Sequence, residues 1–214
     1  MTMLAPLMML VVFGCRQAPV GTAERRSSEP GGAVVVDWSK LAYEIAFAED
    51  SFRTFKGQRA FAMMHLAMHD AINGVIPRYR QFLFHGRDTL ASPVVAAAVA
   101  ARGVLVSQYP NVAARLDAEL ARALASTTDS AAASRGRSLG RLSANAVLAA
   151  RADDGWDVGG SYVFDDRIGA YRTTPPWNGF VVQPGFRYAR PFGLTEPGQF
   201  RPGPPPALES QAYA

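Results

Sequence analysis

Among its 214 residues the chain has one cysteine, two lysines and three histidines. A single cysteine excludes an intramolecular disulfide framework and a cysteine-rich zinc site. With Lys40 and Lys56 the only lysines, 20 of the 22 basic residues are arginines, and only Arg25 and Arg26 are adjacent. No basic stripe interleaved with aromatics appears, so the net charge of +4 does not point to nucleic acid. A Walker loop and a dinucleotide-binding glycine pattern are also missing, and the Gly155 to Gly160 phrase follows a helical pattern where a cofactor loop would follow a strand. What remains is 49% hydrophobic and 19% charged, the balance of a folded protein of one domain's length.

Met1 to Gly14 is an uncharged run of Met, Leu, Val and Phe, too short to span a bilayer but long enough for the apolar region of a signal peptide. It ends in Val12-Phe13-Gly14-Cys15, which resembles a bacterial lipobox with Cys15 as the lipidated residue. No Lys or Arg precedes Arg16, so the usual charged start is missing. Residues 1–15 are thus expected to be a signal peptide. Residues 16–36, rich in Gly, Pro, Ser and charge, are expected to be a flexible tether to the membrane. The corresponding location is the cell envelope, on its periplasmic or extracellular face.

Residues 37–154 read as helical. Asp37 can cap a helix through Trp38, Leu41, Ile45 and Ala48. A second helix spans about Gln58 to Asn73, with Gly74 as its C′ residue and Pro77 beyond. Ser92-Pro93 opens an Ala/Val-rich helix that stops before Pro110. Asn111 caps a fourth through Leu116, Leu120 and Leu124, with Arg115, Glu119 and Arg122 on its exposed face. A fifth runs from Asp129 to about Ala152 and closes at Gly155. The expected fold is all-α, a bundle or array of about five helices, since no segment alternates convincingly as a strand.

Residues 155–214 hold nine of the 15 prolines and nine of the 19 glycines, which forbids long regular helices. They also hold 11 of the 22 aromatic residues, among them Trp156, Tyr162, Trp177, Phe186, Phe192 and Phe200. Rings of that size seek burial, so the segment reads as an irregular strap over the helices or over a surface supplied by something else. Sixty residues without regular structure point to an incomplete domain.

The run from Arg59 to Asn73, Arg-Ala-Phe-Ala-Met-Met-His-Leu-Ala-Met-His-Asp-Ala-Ile-Asn, resembles the second-helix signature of the vanadium-dependent haloperoxidases, relatives of type 2 phosphatidic acid phosphatases. Further matches follow in order: Ala96 to Pro110, Leu116 to Leu120, Ala149 to Gly155, Tyr171 to Pro176, Arg190-Pro191-Phe192, and Phe200 to Leu208. Several motifs in order are more specific than any one of them. The likeness covers Trp38 to Ala214 and only the N-terminal half of such proteins. It implies that an intact relative oxidises halides with peroxide at vanadate, or hydrolyses phosphate esters, using a C-terminal half that this chain would need as a partner.

That family's oxyanion site combines a Lys with an Arg seven residues on and a following Pro, a Pro-Ser-Gly-His, and a Ser-Arg with a His six residues after the Arg. Cations and a hydroxyl neutralise the anion while one His bonds the metal or attacks phosphorus. Here Phe47 and Met63 stand seven residues after the lysines, and no Pro-Ser-Gly-His occurs. Arg59 precedes His65 by six, but Gln58 replaces the Ser and the two side chains point apart on a helix. No catalytic or cofactor-binding residue is therefore assigned, and no cofactor is expected in this chain. Arg59 and Asp70 fall on one side of that helix, about 20° apart, and are expected to form a structural ion pair. His65 lies within the stripe of Phe61, Met64, Met68, Ile72 and Val75, as a hydrogen-bonded core histidine, with His69 on its flank. The two have the i, i+4 spacing of a metal pair, but Leu66 replaces a metalloprotease Glu, and only His85 or a carboxylate could complete a site. Three functions follow: the helical portion of a haloperoxidase-like protein, a non-enzymatic envelope lipoprotein that binds a partner through its aromatic strap, and a small histidine metal protein. Self-association is open to any of them.

Overall fold

The computed structural model describes residues 30–50, 55–168, 170–176, 178–179 and 181–213. Its described residues form five α-helices and no strand: α1 Pro30–Asp50, α2 Phe55–Val75, α3 Pro93–Gln108, α4 Ala113–Ala125 and α5 Ser130–Ala150. Single 3-10 turns stand at Pro110–Val112 and Pro184–Tyr188. The all-α expectation therefore holds.

α3 is the centre. Its Val95, Ala96, Ala97, Ala98, Ala100, Ala101, Val104 and Leu105 are all fully buried, so it is enclosed nearly all round. Such a helix belongs inside the others rather than at a surface. Each of the other four helices packs against it. α1 contributes Trp38 and Ile45, α2 contributes Met63, Met64 and Met68, and α4 contributes Leu116. α5 presents Gly136, Gly140, Ser143 and Ala144, all buried small residues that let two helix backbones approach closely. Ser143 donates its hydroxyl to the Ala67 carbonyl at 2.7 Å, tying α5 to α2.

Two starts are as the sequence predicts. Ser92 Oγ accepts the Val95 amide with Pro93 behind it, and Asp129 accepts the amides of Ala131 and Ala132. The end of α5 is not where the sequence predicts: the helix stops at Ala150 with Arg151 as its C-cap, and Gly155, at φ +72°, turns the chain beyond it.

Other expectations are corrected. α1 begins at Pro30, so the tether does not extend to residue 36 and Asp37 is no cap. Val34 is buried in the core, and its packing extends the helix past Gly31 and Gly32. Gly74 lies inside α2 rather than beyond it. Its missing side chain makes room for the loop, because a Cβ there would stand 2.7 Å from the Gly86 carbonyl oxygen. Asn111 does not cap α4; its amide donates to Glu49. Glu119, expected on an exposed face, is buried and accepts from Arg122. Cys15 and the whole of residues 1–15 lie outside the described residues.

Beyond α5 the described residues form no α-helix, only turns and the short 3-10 segment. Many of its large side chains are exposed: Phe164, Ile168, Tyr171, Tyr188 and Phe200 each show more than half of their surface.

Candidate functional site

Arg59, a member of the α2 signature, does not meet Asp70. The two share a helix face, but 11 residues of helix separate them by about 16 Å along the axis, beyond side-chain reach. Arg59 instead crosses to the end of α5. Its Nε donates to Asp154 Oδ2 at 2.8 Å, one Nη to the Arg151 carbonyl at 2.6 Å and the other to Gln108 Oε1 at 3.0 Å. Asp154 also accepts from Arg151 Nε at 2.8 Å, on the same oxygen. Arg151 then spends its two Nη groups on the carbonyls of Pro191 at 3.0 Å and Arg190 at 2.5 Å. The backbone answers in kind, with the Arg190 amide donating to the Asp154 carbonyl at 2.7 Å.

This arginine–aspartate–arginine cluster is buried, with the Asp154 side chain fully enclosed and each arginine side chain 7% exposed. Burial opposes the Asp154 charge, but hydrogen bonding and attraction from Arg59, and then attraction from Arg151, outweigh it and hold the carboxyl below its ordinary value. For Arg151 burial is the main influence and lowers its pKa; Asp154 resists this, while Arg190 and Arg59 add to it. Aromatic rings cover the cations: the Arg59 guanidinium stands 5.2 Å from the Trp156 ring centre, and that of Arg151 stands 3.9 Å from Phe192. Beside the cluster lies a cavity of about 430 Å³.

Asp70 has a different task. Buried and at the foot of the loop, it accepts the amides of Phe82 at 2.6 Å and of Leu83 and Phe84 at 2.8 Å. Asn73 accepts the Tyr79 amide at 2.8 Å. The polar residues of the His-Asp-Ala-Ile-Asn run thus hold residues 79–84 in place.

His65 and His69 line a second cavity, of about 720 Å³, with Val35, Ile72 and Val94. His65 is half-buried and packs against Phe61 at a tilt, with ring centres 4.6 Å apart and ring planes at 53°. Ser39 spends its hydroxyl hydrogen on the Val35 carbonyl at 2.6 Å. Its oxygen at 3.2 Å from His65 Nε2 therefore accepts, and the proton sits on Nε2. His69 likewise donates from Nε2, to the Arg80 carbonyl at 3.0 Å, while the Asn73 side-chain amide approaches its Nδ1 at 3.4 Å. The i, i+4 pair thus turns its Nε2 protons toward two separate oxygens. Among the described residues no group of three His, Cys, Asp or Glu side chains converges as a metal site.

Vanadate does not fit the residues present. Arg59 and Arg151 are committed to one carboxylate and to protein oxygens, and His65 makes its hydrogen bond to Ser39 rather than to either arginine. The quoted motifs do place Arg59, Arg151, Asp154 and Arg190 in sequence, but only the fold brings them together. The sole sequence signal for the cluster is charge within otherwise apolar or proline-rich runs. No family model, curated protein or solved structure matches the chain. The likeness to haloperoxidases therefore rests on the motifs alone.

Proposed function

We propose that the chain is the helical N-terminal portion of a vanadium-dependent haloperoxidase-like protein, a scaffold that frames the chemistry without performing it. The observation that carries this reading is the convergence of three motifs of the resemblance. Arg59 from the first, Arg151 and Asp154 from the Ala149 to Gly155 run, and Arg190-Pro191-Phe192 from the third form one buried network. A structural clamp behaves in this way: its members hydrogen-bond one another and the surrounding backbone. The catalytic anion cradle would belong to a second half, against which the exposed rings of the strap would pack. Domain incompleteness is part of the same proposal.

The DNA that follows the codon of Ala214 tests it. A Lys with its Arg seven residues on and a Pro-Ser-Gly-His, in frame or in a shifted frame, would support the reading, and a locus with neither would sink it. The chain alone should brominate no substrate, with or without added vanadate.

The exposed Phe164, Tyr171 and Phe200 also favour a second reading, an envelope lipoprotein that binds a partner protein through this segment. That reading requires lipidation at Cys15. No described helix is long and apolar enough to cross a membrane, so a Cys15→Ala variant should leave the membrane fraction if the lipid is the anchor. Unchanged fractionation would reject lipid anchoring.

A further inference from the structure

The cavity beside the arginine cluster has a composition that a packing defect does not need. Phe55 and Trp156 line it together with Phe186 and Phe192. Phe55 and Phe186 are stacked with ring centres 4.1 Å apart, so that part of the wall is a fixed flat surface. Among the described residues its charged lining consists of Arg59, Arg151, Arg187 and Arg190, with no carboxylate. Asp154 lies beneath and is already shared by Arg59 and Arg151, so the buried triad carries one uncompensated positive charge. An unbalanced buried charge is costly, and a negative group brought beside it offsets that cost.

We propose that this cavity binds a planar aromatic monoanion, an aromatic carboxylate or sulfonate, with its ring on the aromatic wall and its charge among the arginines. Size fits the class, because pockets for small molecules begin at about 300 Å³. The charge follows from the hydrogen bonds. Arg59 and Arg151 each have three nitrogens donating to protein oxygens, and one Nη of Arg190 donates to the Ala150 carbonyl. A multiply charged oxyanion needs several converging donors, whereas a single charge needs only the residual field and a donor from the rim. Arg187, exposed and in contact with its neighbour Tyr188, stands at that rim. Binding of this kind is a property of the chain by itself, whatever second half it has.

Calorimetric titration of the full chain with 2-naphthoate and with its neutral counterpart 2-naphthalenemethanol, at low ionic strength, tests the assignment. The naphthoate is expected to bind one to one and about tenfold tighter than the alcohol, the worth of one charge-assisted hydrogen bond. Raising the salt concentration should weaken the naphthoate and leave the alcohol unchanged. Arg187→Gln should reduce the preference, with the circular dichroism of the native fold retained because that side chain is exposed. Arg190→Gln should reduce it further, and Trp156→Ala should weaken both compounds. Equal binding of the two compounds, absence of saturable naphthoate binding, an undiminished preference in Arg187→Gln, or displacement of naphthoate by equimolar inorganic phosphate would each overturn the proposal.

Discussion

Arg59 and Asp154 meet at 2.8 Å across 95 residues of sequence, and their contact joins the start of α2 to the segment that leaves α5. Because Arg151 uses the same carboxylate oxygen, one side chain is shared by two buried cations. Asp154→Asn should therefore destabilise the protein by about 3 to 5 kcal/mol, the range for breaking a buried ion pair from one side. Urea unfolding measures it. A loss below about 1 kcal/mol would show that the arginines find other partners or water.

The same carboxyl predicts a dependence on acid. Its folded pKa lies below its ordinary value, so the unfolded state binds the proton first as pH falls. The stabilisation is complete above about pH 4, the unfolded value, and is lost as pH falls further, through the folded value. Asp154→Asn should flatten that part of the profile. An unchanged acid limb in the variant would contradict the assignment.

His65 acts in a separate window. Burial lowers its pKa from 6.5, so the folded protein prefers the neutral ring that donates to Ser39. Stability from this group is full above pH 6.5 and declines below it, until the folded form is protonated as well. His65→Gln keeps a donor without the titration. The variant should lose the slope below about pH 6.5, as read from thermal unfolding at closely spaced pH values.

Asp70 carries three amides of the loop after α2. Asp70→Ala leaves three donors without their acceptor, and should cost about 3 kcal/mol or more, since bonds to a charged group contribute about 1.5 to 3 kcal/mol each and are not additive. Hydrogen exchange localises the effect. The amides of Phe82, Leu83 and Phe84 should lose protection well before those of α3, and uniform loss would mean that the loop and the helices open together.

Two glycine substitutions should move stability in opposite directions. At Gly140 on α5 a new Cβ would stand 2.3 Å from the Ala96 carbonyl oxygen and 2.9 Å from Val99 Cβ. Backbone cannot yield as a side-chain tip does, so α3 and α5 must separate. Gly140→Ala should cost about 1 to 3 kcal/mol, even after the helix-propensity gain of about 1 kcal/mol. Gly32 in α1 has nothing within 4 Å of such an atom, and Gly32→Ala should gain up to about 1 kcal/mol. Chemical unfolding of the pair checks both signs.

Helix positions are legible in this sequence where a residue's chemistry marks a boundary. Ser92-Pro93 and Asp129 do so through local hydrogen bonds, and they stand where the pattern predicts, whereas α5 ends at Ala150, short of Gly155. The start of α1 is not legible, because the burial of Val34 decides it and the neighbouring glycines argue against it. Periodicity places Arg59 and Asp70 on one face correctly, but angle says nothing of distance along the axis, and the ion pair expected from it does not form. Partners 95 residues apart depend on how α2 and α5 cross. That crossing is set by small residues of α5, whose significance appears only when α3 lies against them.

The last prediction concerns residues 155–213 and separates the two functional readings. Their prolines remove backbone donors and their glycines raise the entropy lost on ordering, so burial of side chains is what can hold them. Some are held: Arg151 grips the carbonyls of Arg190 and Pro191, Phe192 covers the Arg151 guanidinium, and Phe186 stacks on Phe55. Others are not, since Phe164, Tyr171 and Phe200 lie largely in solvent and gain little of the roughly 2 to 3 kcal/mol that burying such a ring contributes. Trypsin should therefore cut first after the exposed Arg167 and Arg172, next after the exposed Arg187, and last in the helices around Met64 and Leu120. Mass spectrometry of a timed digest reads that order. Protection of Arg167 and Arg172 after addition of a candidate second half would support the scaffold reading. Resistance of all three sites for as long as the helices survive would mean that the helices already hold the strap, and would count against a missing half.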